Sequence, residues 1–584
     1  MRLIIPQIAA AILFLVTPGG AKAQESELDK IVGGAIPHSI RYLTPDTLSW
    51  SPLAYGQVIA SARPVPIIPH HGFHPSSPKK AVLWTNSAPE RGDFEVLDLN
   101  APDQPVLFRD SLRHWGFHAW GGYNLIADFS HLRAPGDYQL LVRLSGSDQS
   151  IRSSFTIRRD LFQEFAATAF RWFILQCRDS GTGDDKAYTS GGWYDSGHLT
   201  RVPTESLQAL YALERYHHFL KSRDPKRADT VKNALYRQLK HLCSGTRPDG
   251  SMSSSTRHGP ERISFHEAIP VHIAILTIAS RLKIPPHKLP GLRVARRLCL
   301  RLNDSLITRS SERYHRYDHI DLQSWLLRYS IAMYQSSGDR AYLTRASGYL
   351  TTILGARDTS EFFFSTTDHH WLSYNPETVF DALYDYYRLD KNLPYRLDIA
   401  DTFYQYASRL AEAGGLTPMG HSGCWNKDGY NPVAGSRVAA FNAWLLAFTY
   451  SLYPENRFLH SALSTFDWIR GYNPANRSLL AGIGHDPGAY HHLDPEKAGC
   501  PSGSLPGGVL NGFISGQAGL TPLNDEAPPA DYVIAPTLPA LYPILDIDSG
   551  LTNASITNGY HTSNNAWFIM AAMLLDQFTD TETQ

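Results

Sequence analysis

Polar and apolar positions change rhythm once along the chain. From about residue 60 to 158, short alternating runs (PVPIIPHHGF, KKAVLWTN, DFEVLDLN, GYNLIADFS, DYQLLVRL and SSFTIR) are separated by Pro, Gly, Ser and Asn clusters. A period of two sends successive side chains to opposite faces, so six or seven strands spaced roughly 10 to 15 residues apart predict a β-sandwich. At Asp160 the period becomes helical. Leu161, Phe162, Phe165, Ala169, Phe170, Phe173 and Ile174 fall on one face, with Asp160 placed as the N-cap. Helical stretches recur near 204–220, 228–243, 265–282, 321–337, 377–389, 396–412, 438–453, 457–470 and 562–577. Ten or more helices joined by long Gly-, Pro- and aromatic-rich loops predict one large α-barrel with its site in the loops at one end. Residues 24–59 carry turn formers without a sustained period and read as a leader or linker.

Length alone, 584 residues, allows about four domains. The rhythm reduces these to two unequal ones, a sandwich over 60–158 and a barrel over 159–584. With 54 Lys+Arg against 55 Asp+Glu, no global field favours nucleic acid or an anionic membrane surface. The first residues, MRLIIPQIAAAILFLVTPGGAKAQ, combine Arg2, an apolar run from Leu3 to Val16 and Ala21-Lys22-Ala23. That order is a secretory signal peptide cleaved after Ala23, which places the mature chain outside the cytoplasm, secreted or periplasmic. The run is too short for a membrane span, and no later run reaches the roughly 20 apolar residues that one needs. Cys177, Cys243, Cys299, Cys424 and Cys500 are odd in number and match no metal or disulfide spacing, so most are expected to be buried free thiols.

Several segments carry a family resemblance. IPHHGFHPSSPKKAVL, then ADFSHLRAPGDYQL at 127–140, then the SFTI strand leading into DLF resemble the N-terminal immunoglobulin-like domain of glycoside hydrolase family 9, the cellulase-like proteins. GGWYDSGH at 191–198, GYNPANRSLLAGIGHDPGAYHH at 471–492 and NGYHTSNNA at 558–566 resemble motifs of that family's (α/α)6 barrel. The resemblance covers about 60 to 580. It implies a secreted hydrolase of O-glycosyl bonds in a polysaccharide or oligosaccharide, with no cofactor and no metal.

The chemistry departs from the pattern. An inverting glycosidase needs one carboxylate to deprotonate water and one carboxylic acid, ~6.5–9.5 Å away, to protonate the leaving oxygen. The family's D-A-G-D motif supplies the base at its second Asp. Here the run is Asp195-Ser196-Gly197-His198, so the first Asp matches and His198 stands at the base position. The family's N-E-V-A-x-D-Y-N-A motif supplies the acid from its Glu, and Gly559 stands there. The family's H-H-R element is met by His491 and His492, followed by Leu493. The resemblance therefore assigns catalysis to Asp195 and His198, an imidazole being a competent base near neutral pH. A replacement acid is sought among Asp486, Asp525, Glu526, Tyr560 and His561. Trp193, Tyr194 and Trp425 are candidates to stack on pyranose faces, and His491, His492, Tyr560 and His561 complete the expected binding set.

The histidine doublets at 70–71, 217–218, 369–370 and 491–492 lack chelating spacing, and G-S-L-P-G-G at 503–508 lacks the strand-turn-helix setting of a phosphate loop. The Pro285–Pro290 run reads as a loop, and the basic cluster from Arg293 to Arg301 as the solvated face of a helix. Three functions remain open on the residues: a hydrolase with a rearranged acid/base pair, a glycan-binding protein that has lost its carboxylates, and a polysaccharide lyase using His198, Tyr560 or His561.

Overall fold

The alternating runs form strands β1 (Pro66–Ile67), β2 (Lys80–Thr85), β3 (Gly92–Asp98), β4 (Val106–Ser111), β5 (Arg113–Phe117), β6 (Tyr123–Asp128), β7 (Gly136–Leu144) and β8 (Ser150–Ile157). The computed structural model describes residues 66–85, 91–118, 123–145, 150–177, 192–197, 200–256, 259–299, 319–357, 376–389, 394–426, 429–431, 433–484, 505–515, 543–544 and 559–581. The strands make two antiparallel sheets, β1-β2-β6-β5 and β4-β3-β7-β8. Their inward positions, among them Leu83, Phe94, Val96, Leu125, Leu140, Val142 and Phe155, close one core between the sheets, as expected when one face of each sheet is buried. β4 and β5 are absent from the predicted set. β4 is an edge strand and largely exposed, so its residues VLFRDS have no buried face to alternate against.

Twelve α-helices follow among the described residues: α1 (Leu161–Leu175), α2 (Leu207–Leu220), α3 (Pro225–Ser244), α4 (Phe265–Arg281), α5 (Gly291–Cys299), α6 (His319–Ser337), α7 (Arg340–Gly355), α8 (Pro376–Tyr387), α9 (Arg396–Gly414), α10 (Ser436–Leu452), α11 (Asn456–Ile469) and α12 (Thr562–Thr581). The even-numbered helices form a closed inner ring, each touching the next, with α8 meeting α10 through Phe380–Phe441 and Tyr384–Trp444 ring contacts and α12 returning to α2. The odd-numbered helices pack outside them, which is the (α/α)6 barrel. Inner helices are buried nearly all round, as in α10, where twelve residues from Ser436 to Thr449 are buried, so they read as apolar runs; α7 and other outer helices bury a single stripe. Asp160 does stand before α1, but its side chain makes no cap bond. It pairs instead with Arg158 at 2.9 Å, a charge-assisted contact that outcompetes the neutral N–H. Within Pro285–Pro290, residues Pro286–Lys288 form one 3₁₀ turn.

Sandwich and barrel share contacts. The His70 N–H donates to the Arg470 carbonyl at 2.7 Å, and the buried Arg470 guanidinium donates to the Gly72 carbonyl at 3.3 Å. Ile67 and Val82 join the barrel's core. Near the end of the chain, buried Asn565 accepts from the Val509 N–H at 2.9 Å and donates to the carbonyls of Ala169 (3.0 Å) and Gly507 (2.6 Å), tying α12 to α1 and to the loop before it.

The connections are unequal. Turns leaving the C-terminal ends of inner helices are short, as in 221–224 and 338–339, whereas those arriving at their N-terminal ends are long, as in 176–206, 415–435 and 470–561. Long loops therefore collect at one end, where the motifs lie. The N-terminal segment read as a signal peptide, Cys500 and most of those loops lie outside the described residues. Cys243, Cys299 and Cys424 are free thiols, the first two buried and the third partly so. No described helix is long and apolar enough to cross a membrane.

Candidate active site

The strand-poor loop from Gly192 to Val202 is held by backbone and side-chain hydrogen bonds. Trp193 N–H donates to the Gln238 side chain (2.8 Å), Asp195 N–H to the Thr200 carbonyl (2.8 Å), and Thr562 N–H to the Asp195 carbonyl (2.9 Å). Ser196 also bridges to His561 in antiparallel fashion. The first and last motifs, more than 360 residues apart in sequence, thus meet at the N-terminal ends of α2 and α12.

Asp195 is 2% exposed, and its carboxylate accepts from the Val202 N–H. Burial raises its pKa well above the usual carboxylate value; the Val202 N–H opposes this, and the charge of Glu205 adds to it. Burial thus favours the neutral form of the Asp195 carboxyl. Glu205 sits in the 3₁₀ turn Pro203–Ser206 that leads into α2, with its side chain one-third exposed. Its carboxylate lies 3.1 Å from His561 Nε2. His561 Nδ1 faces the Ser563 hydroxyl at 2.8 Å and accepts from the Ser563 N–H at 3.3 Å. The acceptor duty of Nδ1 puts the imidazole proton on Nε2, directed at Glu205.

Ser563, His561 and Glu205 therefore stand in nucleophile, base and carboxylate order. This line is a helix cap rather than a serine-hydrolase triad. Ser563 is buried, and the N–H groups of Thr562, Ser563, Asn564 and Asn565 are all taken by Asp195 and His561. The helix start therefore has none of these donors left for an oxyanion.

Beside this group lies a buried pair. Glu377, at the start of α8, accepts from Arg437 Nε at 2.8 and 3.0 Å and from Trp567 Nε1 at 2.8 Å. Burial still raises the Glu377 pKa against these donors. The Arg437 side chain is about one-third exposed and feels the charges of Glu205 and Asp321.

Of the residues expected from sequence, Asp195 and His561 come together, and His198, His491, His492, Asp486, Asp525 and Glu526 lie outside the described residues. Trp193 and Tyr560 are corrected. Each is 1% exposed, Trp193 packed on Phe173 (4.9 Å) and Tyr560 on Trp172 (6.0 Å), so neither ring has a face for a sugar. Tyr194 is partly exposed, with one face covered by the Arg201 guanidinium at 4.2 Å. Trp425 lies in the hairpin β9 (Cys424–Asn426) and β10 (Gly429–Asn431), opposite Tyr430. Gly559 is buried, and its carbonyl accepts from the Asn511 N–H at 2.7 Å. Sequence reasoning missed Glu205 and Arg437. Glu205 carried a signal, an acidic residue two places after Pro203 at a helix start, which reads as ordinary first-turn chemistry until the loop folds against it. Among the described residues no group of three potential metal ligands converges.

The model for "Cellulase N-terminal ig-like domain" matches residues 68–147, and that for "Glycosyl hydrolase family 9" matches 301–516, a span that holds neither Asp195 nor Gly559. No curated protein sequence matches the chain. Among solved structures, a Bacteroides ovatus family 9 protein is 16% identical with a TM-score of 0.62, covering 88% of this chain and 99% of its own. A metagenome-derived family 9 endoglucanase is 18% identical with a TM-score of 0.62 over the same shares. A third, AaCel9A in complex with cellobiose-like isofagomine, is 16% identical with a TM-score of 0.61, covering 88% of this chain and all of its own. At such identities the likeness speaks for the fold, and the family models, matching in the order sandwich then barrel, identify a cellulase-type N-terminal immunoglobulin-like domain over 68–147 and a glycoside hydrolase family 9 domain over 301–516.

Proposed function

We propose that this chain is an exported glycoside hydrolase acting on O-glycosyl bonds of a β-linked polysaccharide, with an acid/base set that differs from the family's usual positions. One observation carries the reading: two carboxyl groups stand at the same site in different environments, Asp195 buried with its pKa raised and Glu205 one-third exposed beside His561. A buried carboxyl that favours its neutral form beside a more exposed one is the arrangement that divides acid from base. Glu205, steadied by the His561 Nε2–H, takes the proton from the attacking water, with His198 at the family's base position as a second acceptor. Asp195 is the reservoir of the proton that the leaving oxygen needs. The signal segment before Gln24 supports export to the periplasm or the medium.

Release of reducing ends from a panel of β-glucans, xylans and mannans tests this. Glu205→Gln should cut turnover by about 10²–10⁴-fold, the usual worth of a general base, with glycan binding by calorimetry unchanged. Loss of both family positions, with Gly559 buried, favours a second reading, a glycan-binding protein. Binding without release by the wild-type chain on every glycan selects that reading and ends the first. An ultraviolet-absorbing unsaturated product would select lyase chemistry instead.

A further inference from the structure

The inner helices open at their C-terminal ends onto a pit on the barrel axis, at the face opposite Asp195. Its volume is about 990 Å3, at the top of the roughly 300 to 1,000 Å3 range of small-molecule sites. A buried ion network forms its floor. Arg215 of α2 pairs with Asp381 and, at 2.7 Å, with Asp385 of α8; Arg281 of α4 reaches Glu214 (3.1 Å) and Asp385 (3.0 Å); Arg328 of α6 pairs with Asp381 and, at 3.1 Å, with Asp385. Three arginines and three carboxylates cancel there. Three more cations, Arg223, Lys283 and Arg388, line the pit. Arg223 meets Asp576; among the described residues Lys283 and Arg388 have no carboxylate partner. Among the described residues of the lining and the network beneath it, these six cations stand against four carboxylates, an excess of two.

Helix C-termini favour nearby cations, and Lys283 and Arg388, although exposed, both stand on the wall of the pit above the buried network. Arg388 is held over the Tyr384 ring and donates to the Tyr384 hydroxyl at 2.6 Å, and the buried Nε of Arg215 on the wall has no hydrogen-bond partner. Guanidinium and ammonium groups only donate, so the lining calls for a ligand rich in acceptors.

We infer that the pit is a second ligand site, separate from the cleft, which takes a small hydroxylated organic anion such as a sugar acid. The anionic group lies toward Lys283 and Arg388, and the hydroxyls meet the side chains of Ser280, Ser336 and Gln577. The inference shares no residue with the proposed catalytic group and stands whether or not the chain hydrolyses glycans.

Calorimetric titration of the full chain at low salt, with gluconate as probe and glucose as its neutral counterpart, tests it. Gluconate should bind and glucose bind at least about tenfold more weakly, and Arg388→Ala should weaken gluconate about tenfold, the worth of a charge-assisted contact. Ser280→Trp should fill the pit and abolish binding. Both variants should keep the wild-type circular dichroism and cleft activity; Lys283→Ala, at an exposed position, provides the same readout if either misfolds. No gluconate binding, binding unchanged in the folded variants, or equal binding of glucose overturns the inference.

Discussion

Replacing Arg437 by Met keeps the side-chain stem but removes the cation from Glu377, which is 1% exposed and then retains only the Trp567 N–H. A buried carboxylate in that position protonates rather than stays charged. The cost is set by linkage. A group whose folded pKa is raised contributes stability that is fully present below its unfolded pKa and lost as pH rises toward the folded value. With an unfolded Glu near 4.3 and about 1.36 kcal/mol per unit, the loss reaches at most ~3.7 kcal/mol at pH 7 and ~1 kcal/mol at pH 5. The wild-type chain already bears part of this, because burial raises Glu377 even with Arg437 in place. Urea unfolding of Arg437→Met at pH 5 and pH 7 should therefore show a destabilisation of about 1–3 kcal/mol at the higher pH and well under half of that at the lower. Adding Glu377→Gln should recover most of it. Equal destabilisation at both pH values, or no recovery in the double variant, would refute the reasoning.

Asp195→Asn replaces a neutral buried acid by its near-isostere. Since the raised pKa costs the wild type stability as pH climbs above about 4, the variant's melting temperature should be flatter with pH and higher than wild type near pH 8 in a thermal-shift series. Asn565→Ala removes three buried hydrogen bonds between α12, α1 and the loop at 507–509, so a loss of ~2–5 kcal/mol is expected in denaturant titration. Gly507→Ala should be worse still: its φ is +87° and a Cβ would lie 1.9 Å from the Thr168 carbonyl oxygen, so soluble yield should fall sharply.

Much of this protein is legible in one dimension. Strand periods, the switch at Asp160 and the apolar inner helices follow from local spacing, because burying one face or stripe imposes its period on the sequence. The exposed edge strand β4 and the outer helix α7 carry weaker patterns and were not recovered. Asp195 was legible through its motif, but its protonation was not, since burial is a sum over neighbours distant in sequence. Trp193 looks like a sugar platform in a string, and Tyr560 like a binding or acid residue, and both are core residues in space, packed on α1. Glu205 is an unremarked first-turn acid until α12 brings His561 against it, and Lys283 and Arg388 are scattered cations until six helix ends gather them around one pit. Sequence by itself determined the two fold classes and their order along the chain, because these depend on the period of the buried positions. Tertiary structure decided which carboxyl groups share an environment, because electrostatics in a buried site depends on distance and exclusion of water, and neither is written in the order of the residues.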